Sequence, residues 1–166
     1  ESSAASDVYK RQANGYPISC LVGNKGVMDV MSPGTLGGTY AGNAVACAAA
    51  RATIETFQNE RVLENVAERS KQLFSGLDAI RQTSFGKVIE DIRGMGLMVG
   101  VQFASGPGEP IAQRLSKACL ERDMLIMSTS SFDVIRWIPP LTVSEQELSD
   151  ALAIFSDALE LSLIHI

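Results

Sequence analysis

Between Gly34 and Asn43 the chain reads Gly-Thr-Leu-Gly-Gly-Thr-Tyr-Ala-Gly-Asn, a run that combines bare backbone with hydroxyl groups and leads straight into a helical pattern. Such a run can hold an anion. Glycines expose amide N–H groups, a helix amino terminus adds partial positive charge, and Thr39, with Gly38 beside it, can donate a hydrogen bond to a phosphate oxygen. On composition alone, an ordinary glycine-rich approach to a helix is the commoner outcome for such a run. Arg136, in Val134-Ile135-Arg136-Trp137-Ile138, is the second group of interest. A guanidinium near the end of a strand can clamp a carboxylate through paired, charge-assisted hydrogen bonds, although a lone arginine is usually a surface residue.

Other chemistry is poorly served. His165 is the only histidine and stands next to the last residue, so a Ser/His or Cys/His pair has no credible base. Gly94-Met95-Gly96 lacks the third glycine of a dinucleotide fingerprint. The three cysteines, Cys20, Cys47 and Cys119, are an odd count at wide spacing with no metal-ligand pattern, which suits a reducing cytoplasm and predicts no metal site.

The elements that must position Thr39 and Arg136 follow from periodicity. Asn14-Gly15 and Pro17 mark a turn before a short strand at Ile18 to Val22. Asn43 can cap a helix rich in small residues from Ala44 to about Phe57. Val62, Val66, Leu73, Leu77 and Ile80 fall on one face of a second helix. Val88 and Ile89 begin an extended segment that Gly94 and Gly96 interrupt, and Leu97 to Phe103 suits a buried strand. Ile111, Leu115 and Cys119 mark a third helix, with short strands at Met124 to Met127 and Val134 to Ile138, the latter stopped by Pro139-Pro140. Ser144 followed three residues on by Glu147 forms a capping box for a final helix carrying Leu148, Leu152, Phe155 and Leu159 on one face. Helices and strands alternate without a simple βαβ period, so the class is α/β or α+β with helices packed on a small sheet.

With 166 residues, 46% hydrophobic and 20% charged, the chain has enough apolar material for a core. A net charge of −5 without a cluster of Lys and Arg argues against nucleic acid as a partner. No apolar run approaches the roughly 20 residues that cross a bilayer, so no membrane association is expected.

The string Gly34 to Ala50, GTLGGTYAGNAVACAAA, resembles the segment shared by class III aminotransferases of the 4-aminobutyrate aminotransferase group. The similarity continues through Asp91-Ile92-Arg93-Gly94-Met95-Gly96-Leu97-Met98 and through Val134 to Thr142, and covers roughly Ala13 to Glu160. The resemblance implies an α/β chain that forms the carboxyl-terminal part of a pyridoxal-phosphate-dependent transferase of fold type I, its helices packed on a small mixed sheet. It also implies transamination from an ω-amino acid, 4-aminobutyrate foremost, to 2-oxoglutarate through a Schiff base of pyridoxal 5'-phosphate. Small amino and keto acids would then be its partners in a cytoplasmic homodimer. On the same resemblance Thr39 binds the cofactor phosphate of the neighbouring subunit, with Gly38 beside it. Arg136 holds the substrate carboxylate, and Arg93 is structural.

Lys10 stands where the family's cofactor-bearing lysine precedes a Gly-aromatic-Pro turn, here Gly15-Tyr16-Pro17. Arg11 and Gln12 depart from the small hydroxyl and aliphatic residues that usually follow that lysine, and Ser2 to Tyr9 lacks the expected apolar strand. The implied organisation is a polar tail at 1–12 foreign to the fold, the end of a large cofactor domain at 13–57, a small domain at 58–160 and an apolar tail at 161–166. Such a chain is expected to be a fragment, inactive alone. Ornithine, acetylornithine, diaminobutyrate or β-alanine transaminases are alternatives within the family, and a non-catalytic α/β binding module is the alternative outside it.

Overall fold

The computed structural model describes residues 14–18, 23–32, 34–35, 37–39, 41–104, 106, 108–129 and 131–164. Lys10, Cys20, His165, the segment 1–12 and most of the strand expected at 18–22 lie outside the described residues. The chain divides into two compact units, Glu1–Arg61 and Val62–Ile166, shortly after the division expected at 57.

In the first unit a single turn of helix, α1 (Lys25–Met28), starts where the Asn24 side chain accepts the Gly26 N–H at 2.9 Å. The helix of small residues, α2 (Ala44–Asn59), is capped by Asn43 as its sequence predicts, and continues two residues past Phe57.

The second unit begins with α3 (Val62–Arg81), whose predicted apolar stripe buries Val62, Leu73, Leu77 and Ile80. A 3-10 turn (Gly86–Val88) leads to β1 (Ile89–Met95), then β2 (Met98–Phe103), α4 (Ile111–Leu120), β3 (Met127–Ser128), β4 (Val134–Trp137) and α5 (Glu145–Ile164). The apolar run at 161–166 does not start a separate element, because α5 continues through it to Ile164 and Leu163 packs against the core.

The strands form one sheet in the order β1-β2-β4-β3, and each neighbouring pair is antiparallel, so the mixed sheet expected from the resemblance is not what forms. The reason is topological. The α4 crossover joins β2 to β3, which run the same way, but β4 then turns back and inserts between them, so the two parallel strands never touch.

Gly94 does not interrupt the first strand but lies within it, opposite Val99, and the turn falls at Gly96-Leu97 between the paired Met95 and Met98. Gly96 has φ +59°, which suits the first central position of a two-residue hairpin turn whose twist matches that of the flanking strands. A Cβ at Gly94 would run into the carbonyl of Met98 and the Cα of Val99, both backbone atoms that cannot swing aside. Gly94→Ala is therefore expected to destabilise the unit by about 1–3 kcal/mol, as overpacking does. A chemical denaturation midpoint equal to that of the parent chain would show the hairpin to be more yielding than this.

Alternation along the strands makes a two-layer unit. Val99, Val101 and Phe103 of β2 and Ile135 and Trp137 of β4 point into the core with Leu73, Leu77, Leu115, Leu148, Phe155 and Leu159 of the three helices. Trp137 and Phe155 meet with ring centroids 5.2 Å apart and planes inclined at 58°, a favourable aromatic arrangement. Amide side chains of α3 secure the approach to α5: Asn65 donates to the carbonyls of Leu141 and Val143 at 2.9 and 3.1 Å, and Gln72 donates to that of Glu145 at 2.9 Å.

The capping box at α5 forms reciprocally. The Ser144 backbone N–H and hydroxyl donate to Glu147 Oε2 at 2.8 and 2.7 Å, and the Glu147 N–H donates to Ser144 Oγ at 3.2 Å. The bond from the Ser144 N–H, and then that from its hydroxyl, hold the Glu147 carboxyl below its ordinary pKa. A carboxylate whose folded pKa is depressed stabilises the fold above its unfolded pKa, and that contribution is lost as pH falls through the folded value. Ser144→Ala is thus expected to lower stability near neutrality, with the deficit shrinking in acid below the ordinary glutamate range. Thermal melts of both proteins across pH 3 to 7 check this, and a deficit independent of pH would contradict it.

A second cap spans a larger sequence separation. Asp133, just before β4, accepts the Ile111 N–H at 2.9 Å and the Ala112 N–H at 2.6 Å, capping α4 where Pro110 offers no side-chain acceptor.

Candidate functional site

The phosphate candidate lies in the first unit. At Gly37 and Gly38 a Cβ would meet nothing within 4 Å, so the backbone there is open to an approaching group. The Gly38 carbonyl accepts the Ala41 N–H at 2.9 Å, closing a turn around Thr39, which is exposed. The Thr39 hydroxyl meets no partner among the described residues.

One part of the anion-site reasoning changes. Asn43 Oδ1 already accepts the Val45 and Ala46 N–H groups at 2.9 and 3.1 Å, so two of the otherwise free amides of α2 are occupied by the protein itself. The donors left for an anion are the amides of Gly37, Gly38 and Thr39 and the Thr39 hydroxyl. This arrangement fits a phosphate group. It offers nothing to a pyridine ring, and Lys10, the expected attachment point of a pyridoxal, is outside the described residues.

The carboxylate candidate lies in the second unit. Arg136 sits at an exposed position of β4 between two buried residues, Ile135 and Trp137. Its register partners are Gly100 on β2 and Met127 on β3. Its one polar contact among the described residues is a weak one, from Nη2 to Met127 Sδ at 3.9 Å, so the guanidinium has no carboxylate partner there. Arg93 behaves in the opposite way and is structural, as expected: it binds Asp91 Oδ2 at 2.7 Å and Gln102 Oε1 at 2.9 Å.

A cavity of about 310 Å³ bordered by Arg136 is otherwise lined mostly by apolar residues, among them Leu125, Met127, Trp137, Ile138 and Leu148. A charged donor fork at an exposed strand position suits a ligand carboxylate, which it can pair through two hydrogen bonds. Sequence reasoning found Arg136 but not its neighbours Gly100 and Met127. Only Gly100 left a trace, as a glycine inside an otherwise apolar strand.

Cys119 is no nucleophile. It is fully buried, and burial pushes its thiol up to about 11 against the opposing pull of the Arg122 charge. Among the described residues no helix is long and apolar enough to cross a membrane, and no group of three or more His, Cys, Asp or Glu is arranged to hold a metal ion.

Residues 5–159 match the family described as Aminotransferase class-III. The 5-aminovalerate aminotransferase DavT of Pseudomonas aeruginosa is 36% identical over 157 residues, covering 91% of this chain and 36% of the relative. The 4-aminobutyrate aminotransferase GabT of Escherichia coli is 31% identical over 157 residues, again covering 91% and 36%. The crystal structure of acetylornithine aminotransferase from Elizabethkingia anophelis superposes with a TM-score of 0.82 at 30% identity, covering 91% of this chain and 39% of that one.

The chain thus spans little more than a third of the length of the curated relatives it matches. Helices on a small antiparallel sheet agree with the carboxyl-terminal part of the fold of pyridoxal-phosphate-dependent aminotransferases. The names of these relatives carry three different amino donors, so the 4-aminobutyrate group is not singled out. What they share is the family and its cofactor: this chain belongs to the class III aminotransferases, which depend on pyridoxal 5'-phosphate.

Proposed function

We propose that this chain provides the phosphate loop and the substrate-carboxylate clamp of an aminotransferase that moves an amino group from an ω-amino acid, 4-aminobutyrate foremost, to 2-oxoglutarate. The observation that carries this reading is Arg136, exposed on β4 with no carboxylate partner among the described residues. Thr39 and the amides of Gly37 and Gly38 would hold the phosphate of the cofactor. Pyridoxal 5'-phosphate, when bound, supplies the electron sink that acidifies the amino-bearing carbon of the substrate. Arg136 fixes the carboxylate of the amino or keto acid, so that the reacting carbon is presented in one orientation. Lys10 is the candidate for carrying the cofactor and moving the proton at that carbon. In this reading Thr39 reaches the site of a neighbouring subunit, and the working assembly is a homodimer in the cytoplasm.

Support for an ω-amino donor comes from two relatives named for 5-aminovalerate and 4-aminobutyrate. The solved relative named for acetylornithine favours a second reading, a transaminase of ornithine-type donors. The deciding experiment expresses the genomic reading frame that contains this sequence and measures kcat/KM for 4-aminobutyrate, 5-aminovalerate, ornithine and acetylornithine with 2-oxoglutarate. A preference for 4-aminobutyrate supports the first reading, a preference for the last two donors supports the second, and turnover of none refutes both. The 166-residue chain by itself, which carries only the phosphate loop and the clamp in this reading, is expected to show no turnover.

A further inference from the structure

On the sheet face opposite the three helices, the register places Arg93, Gly100, Arg136 and Met127 in one row across the four strands. Directly paired residues of antiparallel strands project from the same face, and neighbouring strands lie about 4.8 Å apart. Two arginines therefore stand on either side of a strand position that has no side chain. Arg93 is fixed by Asp91 and Gln102, while among the described residues Arg136 has only the sulfur of Met127.

Nothing in the fold asks for glycine at 100. It is not among the residues with positive φ, unlike Gly94 and Gly96. A Cβ there would meet Val134 Cγ1 at 3.6 Å and the Arg93 carbonyl oxygen at 3.8 Å, which is ordinary van der Waals contact. A glycine in the interior of a central strand gives up cross-strand packing and backbone entropy, and such positions mark the close approach of a ligand or of another backbone. The guanidinium beside it, unpaired among the described residues, selects between these occupants in favour of a small carboxylate.

We infer that Gly100 is a positioning residue, a bare floor on which a slim carboxylate ligand lies flat against β2 so that Arg136 can grip it, and that it thereby restricts this subsite to unbranched aliphatic acids. The inference rests on the proposed role of Arg136 as the carboxylate clamp. A side chain at 100 would lift the ligand from the sheet and move its carboxylate out of reach of the paired donors.

The test uses the 166-residue chain with isotopically labelled arginine and glutarate as the probe. The Nε–Hε NMR signal of Arg136 is identified by its loss in Arg136→Gln, and wild type, Gly100→Ala and Gly100→Val are titrated and thermally unfolded in parallel. Expected are a glutarate-dependent shift of the Arg136 signal in wild type, an apparent affinity at least tenfold weaker in Gly100→Val, and a smaller loss in Gly100→Ala. Gly100→Ala should unfold at or above the wild-type temperature, because an added Cβ fits the strand. Wild-type affinity in Gly100→Val would overturn the inference and leave the Arg136 reading standing. An Arg136 signal indifferent to glutarate in wild type would overturn both. Melting several degrees lower in both glycine variants would show that the fold itself needs Gly100, and the inference would fall on that ground.

Discussion

Arg136→Gln, introduced into the enzyme expressed from the full reading frame, is expected to lower kcat/KM for 2-oxoglutarate by roughly 30- to 1000-fold. That range corresponds to about 2–4 kcal/mol, which is what truncating one partner of a desolvated, hydrogen-bonded charge pair costs. The loss should fall mainly on KM, because the carboxylate is held in the ground state as well as in the transition state. Arg136→Lys should recover only part of it, since an ammonium cannot reproduce the planar fork that meets both carboxylate oxygens. An amino donor without a carboxylate provides the internal control, and its half-reaction should be unaffected. A loss below threefold for 2-oxoglutarate, or an equal loss for the donor lacking a carboxylate, would remove Arg136 from this role.

The other large effect is expected in the core. Phe155 is completely buried in α5 and stacks at a tilt on Trp137, which follows Arg136 in β4. Phe155→Ala should destabilise the fold by about 3–5 kcal/mol, combining lost apolar transfer with the cavity left behind. Denaturant unfolding monitored by the fluorescence of Trp137, the only tryptophan, reads this directly. The native spectrum should also change, because the indole would lose its ring neighbour. Phe155→Leu should cost much less, and equal losses for the two variants would mean that general disruption rather than removed volume sets the stability. The link to function is mechanical: the ring pair anchors β4 from the core side, while Arg136 projects from the other.

What could be read in the sequence divides by range. The stripe of α3, the cap at Asn43 and the reciprocal box at Ser144 and Glu147 were legible, because each is specified by residues within a few positions of one another. Thr39 and Arg136 could be singled out for the same reason, the first by its glycine-rich surroundings and the second by its place near a strand end. Their neighbourhoods could not. That Arg136 lies between Gly100 and Met127 depends on the register of three strands, and that the sheet is antiparallel depends on β4 inserting between β2 and β3. The pattern of alternating burial is the same for either arrangement. The occupancy of two α2 amides by Asn43 was implicit in the predicted cap, yet its consequence for anion binding emerges only when donors are counted one by one.

Because Asp133 supplies the acceptors for the first amides of α4, that helix is assembled from two pieces of chain made at different moments of synthesis. Fraying of the start of α4 and detachment of the strand that carries Arg136 should therefore be coupled, opening together rather than one at a time.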